Sequence, residues 1–350
     1  MNTKWTGYIG TYTKGESEGI YSFVLDTEKE EIVNVKLVAK LANPTYVAVT
    51  KDNQFLYAVA KDGESGGVVG YQINEETQEL KMLNKQISEG SAPCYVATNS
   101  DQTVLVAAYY HRGTVESYTL DHQGLLSERK SNMAHIGSGP NKERQEKPHA
   151  HYIDFTPNEQ FVAAIDLGAD QLITYEVNDG KLKKRQALTL QAGCGPRHLT
   201  FHPNGRFAYL MTELSSEIIT LEFNEADGSF NELQYISTIP ENFTENNQGS
   251  AIHISSDGKF VYASNRGHNS IAIFSVQEGG GHLTLVDIVS SEGNWPRDFN
   301  FDPTENYLIG SNEQSHNLVL YKRDKNTGKL TVLQKNIQVG HPVCIKFLNK

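Results

Sequence analysis

The stretch 195–213, GPRHLTFHPNGRFAYLMTE, reads as two short β-strands joined by a tight turn. Strand-forming residues fill 197–202 and 206–212. Between them, in Pro203-Asn204-Gly205, proline fixes one φ and glycine supplies a positive one. The same design recurs along the chain: NPTYVAVTKDNQFLYAVAK from Asn43, APCYVATNSDQTVLVAAYY from Ala92 and HAHYIDFTPNEQFVAAIDL from His149. QGSAIHISSDGKFVYASNR follows from Gln248, WPRDFNFDPTENYLIGSNE from Trp295, and a truncated HPVCIKFL from His341.

Aligned on Pro196, the equivalent positions are Pro44, Pro93, Ala150, Gly249, Pro296 and Pro342, spaced 46 to 57 residues apart. A period near fifty marks a repeat array. Each complete unit continues into a third strand, at 68–73, 114–120, 172–177, 218–223, 270–276 and 317–321. A fourth follows after a polar turn, often with Gly just before Leu, as in Gly124-Leu125, Gly180-Lys181-Leu182 and Gly328-Lys329-Leu330. Four antiparallel strands per repeat make a propeller blade, not a helical repeat. The seventh copy stops after one strand, while three unassigned strands, 4–12, 19–25 and 32–40, open the chain. Counting on from Pro342 through Lys350 to Pro44 gives 52 residues, one further period. The expectation is an all-β, seven-bladed β-propeller forming a single domain over 1–350. Four antiparallel strands build each blade, and the C-terminal strand joins the N-terminal strands to close the ring and remove its open edge.

Composition agrees with many short strands: 29 Gly, 17 Tyr and 14 Phe suit glycine turns and pleated sheets, and no amphipathic helical period is evident. A net charge of −11 and a pI near 5.6 argue against a nucleic-acid or acidic-membrane binder, so any anion site must be local. MNTKWTGYIGTYT has no apolar core of signal-peptide length, and no apolar run could span a bilayer, so a cytoplasmic protein is expected. Cys94, Cys194 and Cys344 have neither metal-type nor redox-type spacing and read as small buried apolar residues. No metal or cofactor is expected. Two insertions, HIGSGPNKERQEK at 135–147 and PENFTENNQ at 240–248, precede first strands; they are either tolerated surface loops or loops that shape a binding site.

In an antiparallel meander the start of strand one and the end of strand two lie at the same end of the sheet. With strand one innermost, these positions ring the mouth of a central channel. After the anchor stand Thr45, Cys94, His151, Arg197, Ser250, Arg297 and Val343. At the end of strand two stand Lys61, Tyr110, Leu167, Glu213, Arg266 and Glu313, with Thr11 near the N-terminal equivalent. His151, Arg197, Glu213 and Arg266 fall on three successive blades and should converge, because charges gathered at one cavity must pair or meet a ligand. Arg297, Glu313, Tyr110 and His149 are candidate substrate contacts. His149, His198, His202, His253 and His316 also suit packing or turn positions, and Asp166 and Asp170 in DLGAD read as turn residues.

YIGTYT, PHAH at 148–151, DLGAD at 166–170, GPRH with Glu213 downstream, and SNRGHNSIAIF at 264–274 together resemble the seven-bladed propeller lactonase family over essentially the whole chain. That family includes propeller-type 6-phosphogluconolactonases and is similar in fold to fungal carboxymuconate cyclase. The resemblance implies a channel-mouth cleft lined by His151, Arg197, Arg266 and Glu213. It also implies hydrolysis of a sugar lactone, with 6-phosphogluconolactone of the pentose phosphate pathway foremost. Another anionic lactone, carboxymuconate-like, is the alternative substrate, and a non-catalytic binding platform the alternative role. Where such sequences have Asn-Tyr ending the second strand of the Pro93 blade, this chain has Tyr109-Tyr110 followed by His111-Arg112.

Within this reading, arginines beside Glu213 should lower its pKa and keep it an anion. Neighbouring cations should keep His151 neutral and able to act as general base. Arg197 or Arg266 would meet the developing oxyanion and the substrate's phosphate or carboxylate, and Glu213 would orient the arginines or the water. The expected partner is a small anionic lactone, met by a monomer or a homodimer.

Overall fold

Alternation of buried and exposed side chains, broken every few residues by a turn, produces only strands: the computed structural model describes residues 3–350 and contains no helix among them. The described strands form seven four-stranded sheets. We number the blades from the one built on Pro44 (blade 1) to the one built on Pro342 (blade 7). Six of them are meanders of consecutive strands. The seventh has the order Pro342–Phe347, Lys4–Thr11, Gly19–Asp26, Glu31–Lys40, so the C-terminal strand is the inner strand of a sheet whose other three strands come from the N-terminus. Ile345 pairs with Ile9 and Cys344 with Gly10 at this seam.

The opening stretch folds as its sequence indicates. Pro196–Phe201 pairs with Phe207–Thr212, which pairs with Glu217–Asn224 and then Ser229–Ser237. Second strands are buried along most of their length, as in Phe207–Thr212 and Phe161–Asp166, because both faces of each middle strand lie against neighbouring blades. Outer strands such as Lys181–Thr189 are mostly exposed to solvent.

The turn between the third and fourth strands has a definite task. At every blade interface a hydroxyl reaches that turn in the next blade. Tyr57 donates to the Gly124 carbonyl (2.9 Å), Ser117 to Gly180 (2.6 Å), Thr174 to Gly228 (3.0 Å), Tyr209 to Gly280 (2.7 Å) and Tyr262 to Gly328 (2.6 Å). Tyr8 donates to Gln78, and Tyr307 to the Glu30 carboxylate, completing the circle. Gly124 has φ +76, and a Cβ there would lie 2.4 Å from the Phe55 ring, so both its backbone and its packing call for glycine. A buried hydroxyl bonded to a carbonyl ties each blade to the next without leaving a polar atom unpaired.

Candidate functional site

At the channel mouth the inner strands depart from regular pairing. Pro196 is opposite Thr212 but His198 is opposite Met211, leaving Arg197 as the extra residue of a β-bulge. The same irregularity isolates His151 between Ala150 and Tyr152, and Arg297 between Pro296 and Asp298. A bulge re-aims the side chain it carries. His151, Arg197 and Arg297 are thus turned toward the channel mouth by one device repeated in three blades.

The second strands supply the complement. In two blades the residue after the one paired with the anchor reaches the cavity: Glu213 follows Thr212, which is opposite Pro196, and Arg266 follows Asn265, which is opposite Gly249. By this register Thr11 pairs with Pro342, so the blade 7 equivalent of Glu213 is Tyr12, one residue beyond the position expected from sequence. Tyr12 packs its ring 5.3 Å from the Arg297 guanidinium and lines the cavity.

Glu213 is the hub. Its Oε2 accepts from Arg197 Nε at 3.0 Å and from Arg266 Nη2 at 2.7 Å, while Oε1 accepts from Arg144 Nη2. Arg266 Nη2 also donates to the Gly249 carbonyl at 2.8 Å. Burial alone would raise the Glu213 pKa, but Arg266, Arg197 and the other nearby cations outweigh it and hold the carboxyl well below its usual range. Burial, then Arg266, pulls Arg197 down to about 9, which leaves it a cation at neutral pH. For His151, burial first and Arg197 second push the pKa well below its ordinary value, so the imidazole is neutral. Its ring meets Tyr110 edge-on at 5.5 Å and His198 at 5.2 Å.

These groups border a cavity of about 580 Å³ whose wall includes Tyr12, Tyr110, Arg144, His151, Glu213, Arg266, Trp295 and Arg297. The four residues expected to converge do so: Arg197 sits directly beneath the wall, and a smaller cavity lined by His151, Arg197, His198 and Arg297 continues into the channel. Tyr110 is a wall residue, as is Arg297, which pairs with Glu313 at 3.4 Å. Two expected substrate contacts stand behind the wall. His149 stacks against Tyr110 at 4.3 Å and its Nδ1 lies 3.0 Å from the Tyr110 carbonyl, so it buttresses that tyrosine. Glu313 backs Arg297 and is not itself a wall residue, because its carboxylate is drawn to that guanidinium.

Other expectations sort in the same way. Cys194 and Cys344 are buried, whereas Cys94 is half-buried and lines the cavity, with burial raising its thiol to about 12. His202 accepts from the Asn204 amide in its turn, and His198 is enclosed by Tyr95, Tyr152 and His151. Asp166 accepts from the amides of His149 and Ala169 and meets His135 at 2.6 Å. Asp170 accepts from the amides of Gly193 and Gly195, fixing the approach to Arg197. The SNRGHNSI segment is a frame around Arg266: Asn265 bonds Thr238 on both sides, and Asn269 accepts from the Trp295 amide at 2.9 Å. In the Tyr109-Tyr110-His111-Arg112 segment, Tyr110 and His111 reach the cavity, while Arg112 turns away to Ser88 and Gly90.

Sequence reasoning missed Arg144 and Trp295. Arg144 comes from the 135–147 insertion, which therefore shapes the cavity. Its signal was an insertion rich in charge directly before the inner strand that carries His151. Trp295 lies immediately before the Pro296 anchor, packs 5.6 Å from the Arg266 guanidinium and was visible only as part of the repeat. The 240–248 insertion contributes Gln248 to the wall. Of its other residues Glu241, Asn242, Thr244, Glu245 and Asn246 are exposed, while Asn247 donates to Ser216 at 2.8 Å and Phe243 packs on His268.

Residues 6–347 match the family described as Lactonase, 7-bladed beta-propeller. The chain is 52% identical over 348 residues to a protein of Bacillus subtilis (strain 168) named 6-phosphogluconolactonase, covering 99% of each. Among solved structures, a Lactobacillus plantarum protein superposes with a TM-score of 0.95 at 41% identity, covering 99% of this chain and 100% of that one. A Pseudomonas aeruginosa periplasmic gluconolactonase superposes with a TM-score of 0.93 at 28% identity, covering 99% of each.

Proposed function

This chain belongs to the seven-bladed β-propeller lactonase family, and on that premise we propose that it hydrolyses 6-phosphogluconolactone to 6-phosphogluconate. The observation that carries the reading is a buried carboxylate, Glu213, clasped by three guanidiniums at a cavity of sugar-phosphate size, with the neutral imidazole of His151 beside it. Four arginines, Arg144, Arg197, Arg266 and Arg297, face two carboxylates, Glu213 and Glu313, leaving two positive charges in excess on a chain of net charge −11. An anionic substrate balances that excess.

In this reading His151 takes a proton from water as the oxygen attacks the lactone carbonyl. General base catalysis of this kind contributes about 10²- to 10⁴-fold. The carbonyl oxygen becomes an oxyanion facing Arg197 and Arg266, whose positions are fixed in advance by Glu213. Fixed donors of this sort are worth about 10²- to 10³-fold each. Collapse of the tetrahedral intermediate breaks the bond between the carbonyl carbon and the ring oxygen, which receives the proton from His151. Glu213 stays ionised throughout and acts as the arginines' anchor, since three cations make it a poor base.

The proposed setting is the cytoplasm, with the protein a monomer or homodimer acting on a small anionic lactone. Its acidic surface disfavours nucleic acid. Among the described residues no helix is long and apolar enough to cross a membrane. The test is hydrolysis of freshly generated 6-phosphogluconolactone followed against the spontaneous rate, beside a panel containing glucono-1,5-lactone and a carboxymuconate-type lactone. A wild-type rate equal to the spontaneous one for the phosphorylated lactone overturns the reading. Faster turnover of another member of the panel reassigns the substrate.

A further inference from the structure

We infer that Arg144 is the residue that selects a phosphorylated lactone, releasing the Glu213 carboxylate to take the substrate's phosphate; this rests on the lactonase reading above. The four cavity arginines are not equivalent. Arg197 and Arg266 are 3% and 4% exposed in their side chains, and both donate to Glu213 Oε2. Arg266 is further held by the Gly249 carbonyl, and Arg197 Nη1 lies 3.3 Å from His198 Nε2. Neither can turn to a group outside the cavity floor without dismantling the hub. Arg297 is pinned between Glu313 and the face of Tyr12. Arg144 differs in exposure and in partner: its side chain is 31% exposed against 20% for Arg297, and it holds the Glu213 oxygen that no other arginine uses. Its other contact is a long one, 3.5 Å, to the Tyr110 hydroxyl.

Arg144 also differs in origin. The other three arginines belong to blade strands, whereas Arg144 is carried by the 135–147 insertion. The loop is nevertheless fixed beside it. Gln145 is fully buried and donates to the Leu167 carbonyl at 2.8 Å and to Asp170 at 2.7 Å, while Asn141 caps the amide of Arg144 at 3.2 Å. The backbone is thus held while the guanidinium at its tip remains free to exchange partners. Exchange does not strand Glu213, because Oε2 keeps both buried arginines. A guanidinium matches a phosphate through two parallel hydrogen bonds. A phosphate monoester carries a charge of about −1.5 to −2 near neutral pH, which matches the excess of two positive charges in the cluster.

The test compares wild type with Arg144→Gln and Arg144→Lys, using two pairs of probes. In turnover, the ratio of kcat/KM for 6-phosphogluconolactone to that for glucono-1,5-lactone is expected to fall at least about tenfold in Arg144→Gln, mostly through KM, with partial recovery in Arg144→Lys. By calorimetry, the preference of wild type for 6-phosphogluconate over gluconate should be lost in Arg144→Gln. An unchanged ratio or an unchanged binding preference overturns the assignment. So does an equal loss on phosphorylated and unphosphorylated lactones, which would place Arg144 behind Glu213 and not on the phosphate. The binding arm does not depend on catalysis: if wild type hydrolyses neither lactone, the proposed function falls while the calorimetric preference still decides the role of Arg144.

Discussion

Arg197 and Glu213 stand at the same end of two paired strands, sixteen residues apart in the chain and 3.0 Å apart in space. The bulge at Arg197 and the strand end at Thr212 bring them together, and Glu213 in turn gathers Arg266 from the next blade and Arg144 from a loop. The site is a buried network with one anion and three cations. Its members therefore should not be equal in their effect on stability.

Glu213→Gln leaves three guanidiniums around a neutral amide. Removing one partner of a buried ionic network costs about 3–5 kcal/mol. Arg197→Met leaves Glu213 with Arg266 and Arg144 and should cost distinctly less. Urea denaturation of both variants checks the order, and equal midpoints would contradict the hub.

His151→Asn should lower kcat by about 10²- to 10⁴-fold while the unfolding midpoint stays close to wild type. Because burial and then Arg197 hold the imidazole below its ordinary pKa, the neutral form persists as pH drops through about 6.5. The wild-type pH–rate profile should accordingly show no break at that pH. An acid limb centred there would mean that His151 titrates normally.

The same shifts make stability depend on pH with a definite sign. His151 and His198 are both depressed by burial first, so the unfolded chain binds protons near pH 6.5 that the folded chain refuses. Their contribution is fully present above about 6.5 and is lost as pH falls below it. Glu213, also depressed, adds a second loss as pH falls below about 4.5, the ordinary value for its unfolded carboxyl. Urea midpoints between pH 8 and 4 should decline in that order, and His198→Gln should shrink the first decline. Asp154, raised to about 6 by burial, works in the opposite sense below that pH, so the variant decides: a first decline left unchanged in His198→Gln would refute the assignment.

Gly249→Ala tests the packing between blades 4 and 5. A Cβ there would lie 2.1 Å from the Thr212 carbonyl oxygen and 2.2 Å from Met211 Cε. Overpacking against backbone costs about 1–3 kcal/mol. Since Thr212 precedes Glu213 and the Gly249 carbonyl holds Arg266, hydrolytic activity should fall with stability. Full activity in a stable Gly249→Ala protein would show that the hub tolerates displacement of this strand.

The residues legible in sequence were those that recur with the repeat. Arg197, His151 and Glu213 stood out because they place charged or titratable groups at two positions that other copies fill with residues such as Thr45, Ser250, Val343 and Leu167, and strand pairing fixes where those positions lie. The N-terminal equivalent could be placed only near Thr11, one residue short of Tyr12, because the bulge at Val343 in the partner strand cannot be counted from the N-terminal sequence alone. His149 and Glu313 share the right end of the blade but not the cavity wall, since stacking on Tyr110 and attraction to Arg297 turn them away from it.

The sequence by itself determined the number of blades, the seam between the two termini and the end of the channel where charge collects. Each follows from short-range periodicity, turn chemistry and the two-residue alternation of strands, which are properties of local chain. Only the tertiary structure decided that Arg144 completes the cluster, that Trp295 and Tyr12 form its apolar walls, and that Glu213 is shared by three arginines. The Arg144 contact joins residues 69 positions apart through a loop with no period, and the Tyr12–Arg297 contact brings together opposite ends of the chain. Their geometry is fixed by the ring as a whole: seven interblade hydroxyl bonds set the spacing of the blades, and that spacing sets which side chains meet at the mouth.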